Sequence, residues 1–418
     1  MNKKTTFVAL CLAMSLGSWA QTKQGGISPQ MLSEIQKLQS QTPASKALFN
    51  AIAANNIDDL VKNHANQGPV DTHFSVETPA QSIHDQKSSG RCWMFSGFNV
   101  LRSNFAKAHG DSLKVELSHD YLFFYDQLEK ANLMLQGVID NAKKPIDDTR
   151  VQFFFKSPIN DGGTFCGVAD LADKYGVVPM SIVPETYSAE NTSRISRLVA
   201  SKLREFGLEL RDMVAKGKNA KAINERKTQM LATVYNMLSM TLGEPVKEFT
   251  YAFTDKNGKT VGTPKKYTPK EFFHEVVGDG IKGTFIMVMN DPRRPYHKTY
   301  EVEYDRHTYD GTNWKYLNLP MDEIAQLAIA SLKDGRKMYS SYDVGKQYDR
   351  KRGLLDVNNY DYASLFSTTF GMDKAQRIST FDSGSTHAMT LSAVDLDANG
   401  KPLKWKVENS WGPANGQN

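Results

Sequence analysis

Cysteine is scarce, with three in 418 residues, at positions 11, 92 and 166. No C-x-x-C pair and no cysteine–histidine cluster at zinc spacing occurs, so neither a disulfide scaffold, a metal site nor a cofactor is expected. No apolar run reaches the roughly 20 residues that cross a bilayer. Repeats of 20–50 residues and low-complexity tracts are also missing, which excludes solenoids, propellers and a disordered chain. Neither charge sign dominates: 51 basic residues face 46 acidic ones, for a formal +5. So small a bias does not point to nucleic acid as a partner. What the chain does have is length and an ordinary 40 % of hydrophobic residues, enough for a large core and more than one domain.

The N-terminus has the pattern of an export signal. Lys3 and Lys4 precede the short apolar stretch "TFVALCLAMSLG", and "SWA" places small residues at the positions that precede a cleavage site. Cleavage after Ala20 and a periplasmic or secreted location are expected, with no membrane attachment afterwards. Leu10 is too large for a lipid-modified Cys11. Cleavage removes Cys11 and lowers the formal charge from +5 to +3. Cys92 and Cys166 then remain. A bridge between them is one reading. For Cys166 the simpler reading is a small buried apolar residue.

Helix signals are frequent. Ser28-Pro29 starts one, with Leu32, Ile35 and Leu38 on one face, and Thr42-Pro43 starts another that fades near Asn55. From Cys92, the residues Met94, Phe98, Leu101 and Phe105 form one stripe, with Gly110 as the stop. Ser88, Ser89 and Gly90 offer cap chemistry just before it. "LSHDYLFFYDQLEKANLML" reads as a helix, and "PINDGGTFCGVADLADKYGVVP" as a Gly-Gly turn, a helix and a glycine stop. Residues 193–242 read as a helical insertion. Beyond "TPKEFFHEVVG" the strands "GTFIMVMND", "KTYEVEYD" and "KWKVEN" follow, interrupted by the helix "PMDEIAQLAIASLKDG". The order is α+β and not a regular βαβ alternation.

The chemistry turns on Cys92. A thiol at a helix N-terminus gains nucleophilicity from the partial positive charge and the free N–H groups there, and more from a neighbouring imidazole. Of nine histidines, His64, His73, His84, His109, His297 and His307 lie in loop-like stretches where a solvated ring is expected. His119 and His274 sit in helices, at the surface or behind a site. His387 differs: it opens an apolar strand behind small residues, and a second strand with Leu403, Trp405, Val407 and Asn409 follows. A two-residue turn on Asn399-Gly400, the stronger turn signal, would set Asn409 opposite Thr390. A loop centred on Ala398, or a bulge, would set it opposite His387. The catalytic reading requires the latter.

In that reading Cys92 attacks a carbonyl carbon, His387 exchanges its proton and Asn409 holds the ring in one tautomer. Trp411 shields that bond. Gln86 joins the Cys92 backbone N–H in stabilising the oxyanion. On its own, Gln86 reads equally well as a loop amide that caps the helix.

"Q-x-x-x-G-x-C-W-x-F" at Gln86–Phe95, "THAM" at Thr386–Met389 and "ENSWG" at Glu408–Gly412 resemble the papain-like cysteine peptidases. "NDGGTF", "KYGVVP", "PETYSAENTSRIS" and "KDGRKMYSSYDVGK" resemble the bleomycin hydrolase/aminopeptidase C branch, peptidase family C1B. The resemblance implies a two-lobe papain-like fold with a helical insertion and thiol-dependent hydrolysis of peptides, most simply as an aminopeptidase. It implies Gly162 and Gly163 as the pair that approaches the substrate backbone, and a homo-oligomer, commonly hexameric. The expected organisation is a signal peptide at 1–20 and an N-terminal helical segment at 21–70. A helical lobe with Cys92 follows at 71–190, a mainly helical insertion at 191–270, and a β-rich lobe with His387 and Asn409 at 271–418. Relatives continue past the position reached nine residues after Asn409, through further strands and a C-terminal arm. The chain is therefore expected to be truncated there, which leaves an endopeptidase or an inactive peptide-binding fragment as alternatives.

Overall fold

The structure, a computed structural model, describes residues 25–39, 42–414 and 416. The export segment 1–20 lies outside the described residues. Two compact units are present: residues up to Asn63 together with Tyr360–Ser367, and His64–Asn359 together with residues from Thr368 onward.

In the first unit, Ser28 caps α1 (Pro29–Leu38) by accepting from the Met31 N–H at 3.1 Å. Thr42 and Ser45 form a reciprocal capping box on α2 (Pro43–Ala54). Leu32, Ile35 and Leu38 share a face as the spacing predicts, and that face is exposed. Tyr360–Ser367 returns to this unit through the Asp361 N–H, which donates to the Val61 carbonyl at 2.7 Å.

The second unit begins with the short strand β1 (Val76–Glu77) and then α3 (Cys92–Ala108). The Met94, Phe98, Leu101 and Phe105 stripe of α3 is buried, and so are Trp93 and Val100 on other faces. A helix apolar on several sides belongs in the middle of a core. The same core takes in α4 (His119–Asp140), α5 (Phe165–Tyr175), α6 (Ser193–Ala215) and α7 (Ala220–Leu242), with α5 packed directly on α3 and with α6 and α7 packed on α4. Gly176, at φ 76°, stops α5. Leu203, Leu210 and Val234 of α6 and α7 sit in the same core as Phe98 and Leu122.

A four-stranded antiparallel sheet carries the other half of this unit. It contains β1, β2 (Met338–Tyr342), β3 (His387–Leu396) and β4 (Pro402–Glu408). Leu391 and Val394 of β3 form a second, smaller core with Ala328 and Leu332 of the helix Met321–Lys333. The strands expected from "GTFIMVMND" and "KTYEVEYD" shrink to Val288–Met289 and Lys298–Glu301. Ahead of the first, Gly280 at φ 84° admits a helical turn at Ile281–Thr284. After the second, the chain turns at Val302–Asp305, with Tyr304 at φ 62°.

The β3–β4 hairpin differs from the two-residue turn favoured by Asn399-Gly400. Three residues, Ala398–Gly400, connect Asp397 to Lys401, whose carbonyl accepts from the Asp397 N–H at 2.9 Å. The Asp397 carboxylate accepts the Asn399 and Lys401 N–H groups at 2.8 Å each, and Gly400 takes the left-handed position at φ 78°. These are the marks of a three-residue hairpin loop with its glycine in the left-handed position. One register shift lies between Asp395 and Leu396, and a second between Leu391 and Ala393 leaves Ser392 as an extra residue. The ladder then runs out at Thr390↔Glu408, a register that sets Asn409 opposite neither Thr390 nor His387, so Asn409 reaches His387 from beyond the ladder and not as its cross-strand partner.

The helical core and the sheet are joined at Thr390, which is fully buried. Its hydroxyl donates to the Ser96 carbonyl of α3 at 3.3 Å and accepts from Asn99 Nδ2 at 3.2 Å. Arg102 secures Asn99 in turn, donating to its Oδ1 at 2.7 Å, and also holds the Ser82 carbonyl at 3.0 Å. Thr390→Val keeps the shape and removes both bonds, leaving the Asn99 amide short of a partner. A loss of about 1–3 kcal/mol is expected, read as a lower urea midpoint at an unchanged m-value.

Candidate active site

Cys92 is the first residue of α3, and Arg91 is its N-cap. Arg91 supplies no side-chain cap bond, and neither do Ser88 and Ser89. The Ser89 hydroxyl donates instead to the Gln86 carbonyl at 2.6 Å and accepts from Arg91 Nε at 3.1 Å. The first N–H groups of the helix are thereby left facing the sulfur, as an anion would need. The backbone N–H groups of Ala388, Trp93 and Cys92 all favour the thiolate. Burial outweighs them, assisted by the Asp161 carboxylate, and pushes the resting thiol up. Contact with the Ala388 backbone sets the sulfur beside the residue that follows His387.

His387 begins β3, held by β2 through the His387↔Tyr342 pair. Its Nε2 lies 2.8 Å from Asn409 Oδ1. Asn409 Oδ1 also accepts the Ser410 N–H at 2.7 Å, which fixes that atom as the oxygen. Nε2 is then the donor, and in the neutral ring Nδ1 keeps the lone pair. Burial lowers the His387 pKa, and the bond to Asn409 opposes the shift. Trp411 stacks on the imidazole at 4.5 Å between centroids and 26° between planes. The buried pair of Lys337 with Glu408 fixes the strand end immediately before Asn409.

Gln86 is buried and linked to the same segment. Its N–H donates to the Ser410 carbonyl at 2.8 Å, and its Oε1 accepts the Ser410 hydroxyl at 2.6 Å. One of its two amide hydrogens goes to the Ser89 carbonyl, and the amide carries a second. Gln86 therefore does not cap the helix: its amide bonds Ser89 and Ser410 and none of the helix N–H groups. Residues 84–86 run antiparallel to 410–412, with an Asp85↔Trp411 bridge and the Gly412 N–H on the His84 carbonyl at 3.1 Å.

Gly162 and Gly163 differ from each other. A Cβ on Gly162 would meet only Asn160 Oδ1, at 3.6 Å, whereas one on Gly163 would lie 2.1 Å from the His307 ring. Gly162 thus faces open space and Gly163 is required by packing. Cys92 and Cys166 are both free thiols. Cys166 is half-buried, with Sγ 2.8 Å from Thr164 Oγ1, and burial pushes its pKa up to about 11. Among the described residues no group of three His, Cys, Asp or Glu side chains could hold a metal ion, and no helix is long and apolar enough to cross a membrane.

The histidine readings need correction in two places, His307 and His84. His307 is only 2 % exposed, between Asp126 and Thr164, and not a solvated loop ring. For His119 the structure selects the second of its two alternatives: it is 1 % exposed and stacks on Phe95 of α3 at 3.6 Å. His84 is partly buried, 3.1 Å from Glu116. His64, His73, His109, His274 and His297 are exposed. Two further contributors carried no sequence signal of their own. Ser410 links Asn409 to Gln86, and Tyr348 places its hydroxyl within bonding reach of the Asn409 side chain.

A thiol at an open helix end, an imidazole oriented by an amide and a spare amide donor beside them are the parts of a cysteine peptidase. Residues 26–418 match the model of the Peptidase C1-like family. Aminopeptidase C of Lactobacillus delbrueckii subsp. lactis is 38 % identical over 380 residues, 90 % of this chain and 84 % of that protein. Human bleomycin hydrolase is 37 % identical over 356 residues, 82 % and 76 % of the two chains. The crystal structure of PepW from Lactobacillus rhamnosis HN001 superimposes with a TM-score of 0.87 at 36 % identity, covering 94 % of this chain and 87 % of that one. The chain belongs to the Peptidase C1-like family and has its α+β papain-like fold.

The shifts set a pH profile. With Cys92 as nucleophile and His387 as its base, one proton would be shared between them, and the active form would exist between their two pKa values. Burial lowers that of His387 and raises that of Cys92 from their ordinary values. A plot of kcat/KM against pH should therefore show a plateau broader than an unshifted pair would give, falling on the acid side as His387 gains its proton. Asn409→Ala removes the one interaction that raises the His387 pKa, so the acid limb should move to still lower pH. The plateau should drop roughly 10–100-fold, the size of a lost bond to a charged group.

Proposed function

We propose that the chain is a thiol aminopeptidase that hydrolyses peptide bonds at free N-termini, with Cys92 as nucleophile, His387 as acid and base, and Asn409 as the residue that orients His387. The observation that carries this reading is the bond from His387 Nε2 to an Asn409 oxygen whose identity the Ser410 N–H fixes. That bond reserves Nδ1 for a proton from the thiol, beside an open helix N-terminus. The relatives named aminopeptidase C and bleomycin hydrolase support the reaction class.

The steps follow from the positions. His387 Nδ1 takes the Cys92 proton, and the thiolate attacks the carbonyl carbon of an extended peptide that lies along Gly162-Gly163. Charge on the tetrahedral oxygen is met by the Cys92 N–H and by the free amide hydrogen of Gln86. His387 then protonates the leaving amine, which leaves an acyl group on Cys92. Water deprotonated by the same ring releases the acid. Trp411 covers the His387–Asn409 bond and keeps water from competing for it.

Cys92→Ala should abolish turnover of unblocked peptides. Comparing a free peptide with its N-acetylated form tests the exopeptidase reading, and equal rates on both would replace it with an endopeptidase. Gln86→Ala should lower kcat roughly 100-fold with little change in KM. Export, with cleavage after Ala20, and assembly into a hexamer belong to the same proposal. The N-terminal residue of the secreted protein and its mass in solution test them.

A further inference from the structure

One group of buried charged side chains takes no part in the chemistry above. Asp126 of α4 is fully buried and accepts from three sides. His307 Nδ1 reaches its Oδ1 at 2.5 Å, while Lys130 Nζ and Gln127 Nε2 each reach Oδ2 at 2.9 Å. The other two hydrogens of Lys130 go to the carbonyls of Asn160, at 3.0 Å, and Gly162, at 2.6 Å. Gln127 adds a bond to the Asn160 carbonyl at 2.9 Å.

On the other side, His307 Nε2 accepts the Thr164 N–H at 3.3 Å. Since Nε2 is the acceptor, the proton is on Nδ1 and the ring is neutral, in line with the lowering of its pKa by burial. The ring fills the space left by Gly163 and Gly167 and lies 4.5 Å from Trp93, over which Lys130 Nζ also sits. Trp93 Nε1 returns a bond to the Asp161 carbonyl at 2.9 Å. Backbone groups of residues 160, 161, 162 and 164 are thus held, and every direct partner leads to Asp126 or to the residue next to Cys92.

Burying an ion pair is a poor route to stability, because desolvation offsets most of the attraction. The cluster is better explained by what it holds. We propose that Asp126, Lys130 and His307 are positioning residues that hold segment 160–164 so that the Gly162-Gly163 backbone meets an extended peptide. This rests on the reading of Gly162-Gly163 as the substrate-binding edge.

Lys130→Met and His307→Phe remove the anchoring bonds while keeping bulk, and Asp126→Asn keeps shape and an acceptor for His307. Each is expected to raise KM for a free-amino peptide substrate, roughly tenfold for the first two, while kcat stays within about threefold. The pH dependence of Cys92 alkylation by iodoacetamide should not move, and Lys130→Arg should restore most of the KM. If Lys130→Met and His307→Phe do not fold, Asp126→Asn decides: an unchanged KM overturns the proposal. Equal losses in kcat and alkylation rate also overturn it, by placing the cluster in the chemistry. Gly162→Ala, which meets no backbone and no buried group, separates the two readings. If it leaves KM unchanged, the glycine edge does not bind peptide. If it raises KM while the cluster variants do not, only the cluster proposal fails.

Discussion

The structure depends on a helix end meeting a strand end at a fixed distance. Cys92 stands where α3 starts and His387 where β3 starts; Ala388 brings that strand end into the core of α3, while Leu391 and Val394 further along β3 belong to the smaller core. Thr390 ties strand to helix, three residues into β3 and against the second turn of α3, with one bond given and one received. A hydroxyl suits the position because it can donate and accept at once. Apolar packing alone would allow the two layers to slide, whereas paired directional bonds set the phase of strand against helix.

Around that joint the electrostatics are arranged for a resting state that is neutral and ready. Burial disfavours charge on both Cys92 and His387. The free helix N–H groups and the Asn409 oxygen act in the opposite direction. The two effects oppose each other: burial favours the neutral thiol and ring, and the donors and acceptors favour their charged forms. The uncapped start of α3 is a local weakness of the helix that the site turns to use.

Much of this was legible in the sequence because the signals were local. Ser28, Thr42 and Gly176 mark helix ends by their own chemistry, and the Met94–Phe105 stripe marks a core helix. The quoted motifs around Cys92, His387 and Asn409 located the pieces of the site. What could not be read depends on residues far apart in the chain. The hairpin register was set by the three-residue loop that the Asp397 side chain closes, because the two register shifts lie on opposite strands and cancel. The burial of His307 needed Asp126, some 180 residues earlier. Strand β2 was legible only as part of a motif string, because its alternation is short and its partner is distant.

Residues 409, 410 and 411 serve three destinations in succession: the imidazole edge, the Gln86 amide and the imidazole face. Such a segment can accept substitutions one at a time, each dulling one function. It cannot accept a change in length, since adding or removing a single residue would misroute all three side chains together. Variation among such chains should therefore be free in the hairpin tip and confined to side-chain exchange, without insertions or deletions, in this tripeptide.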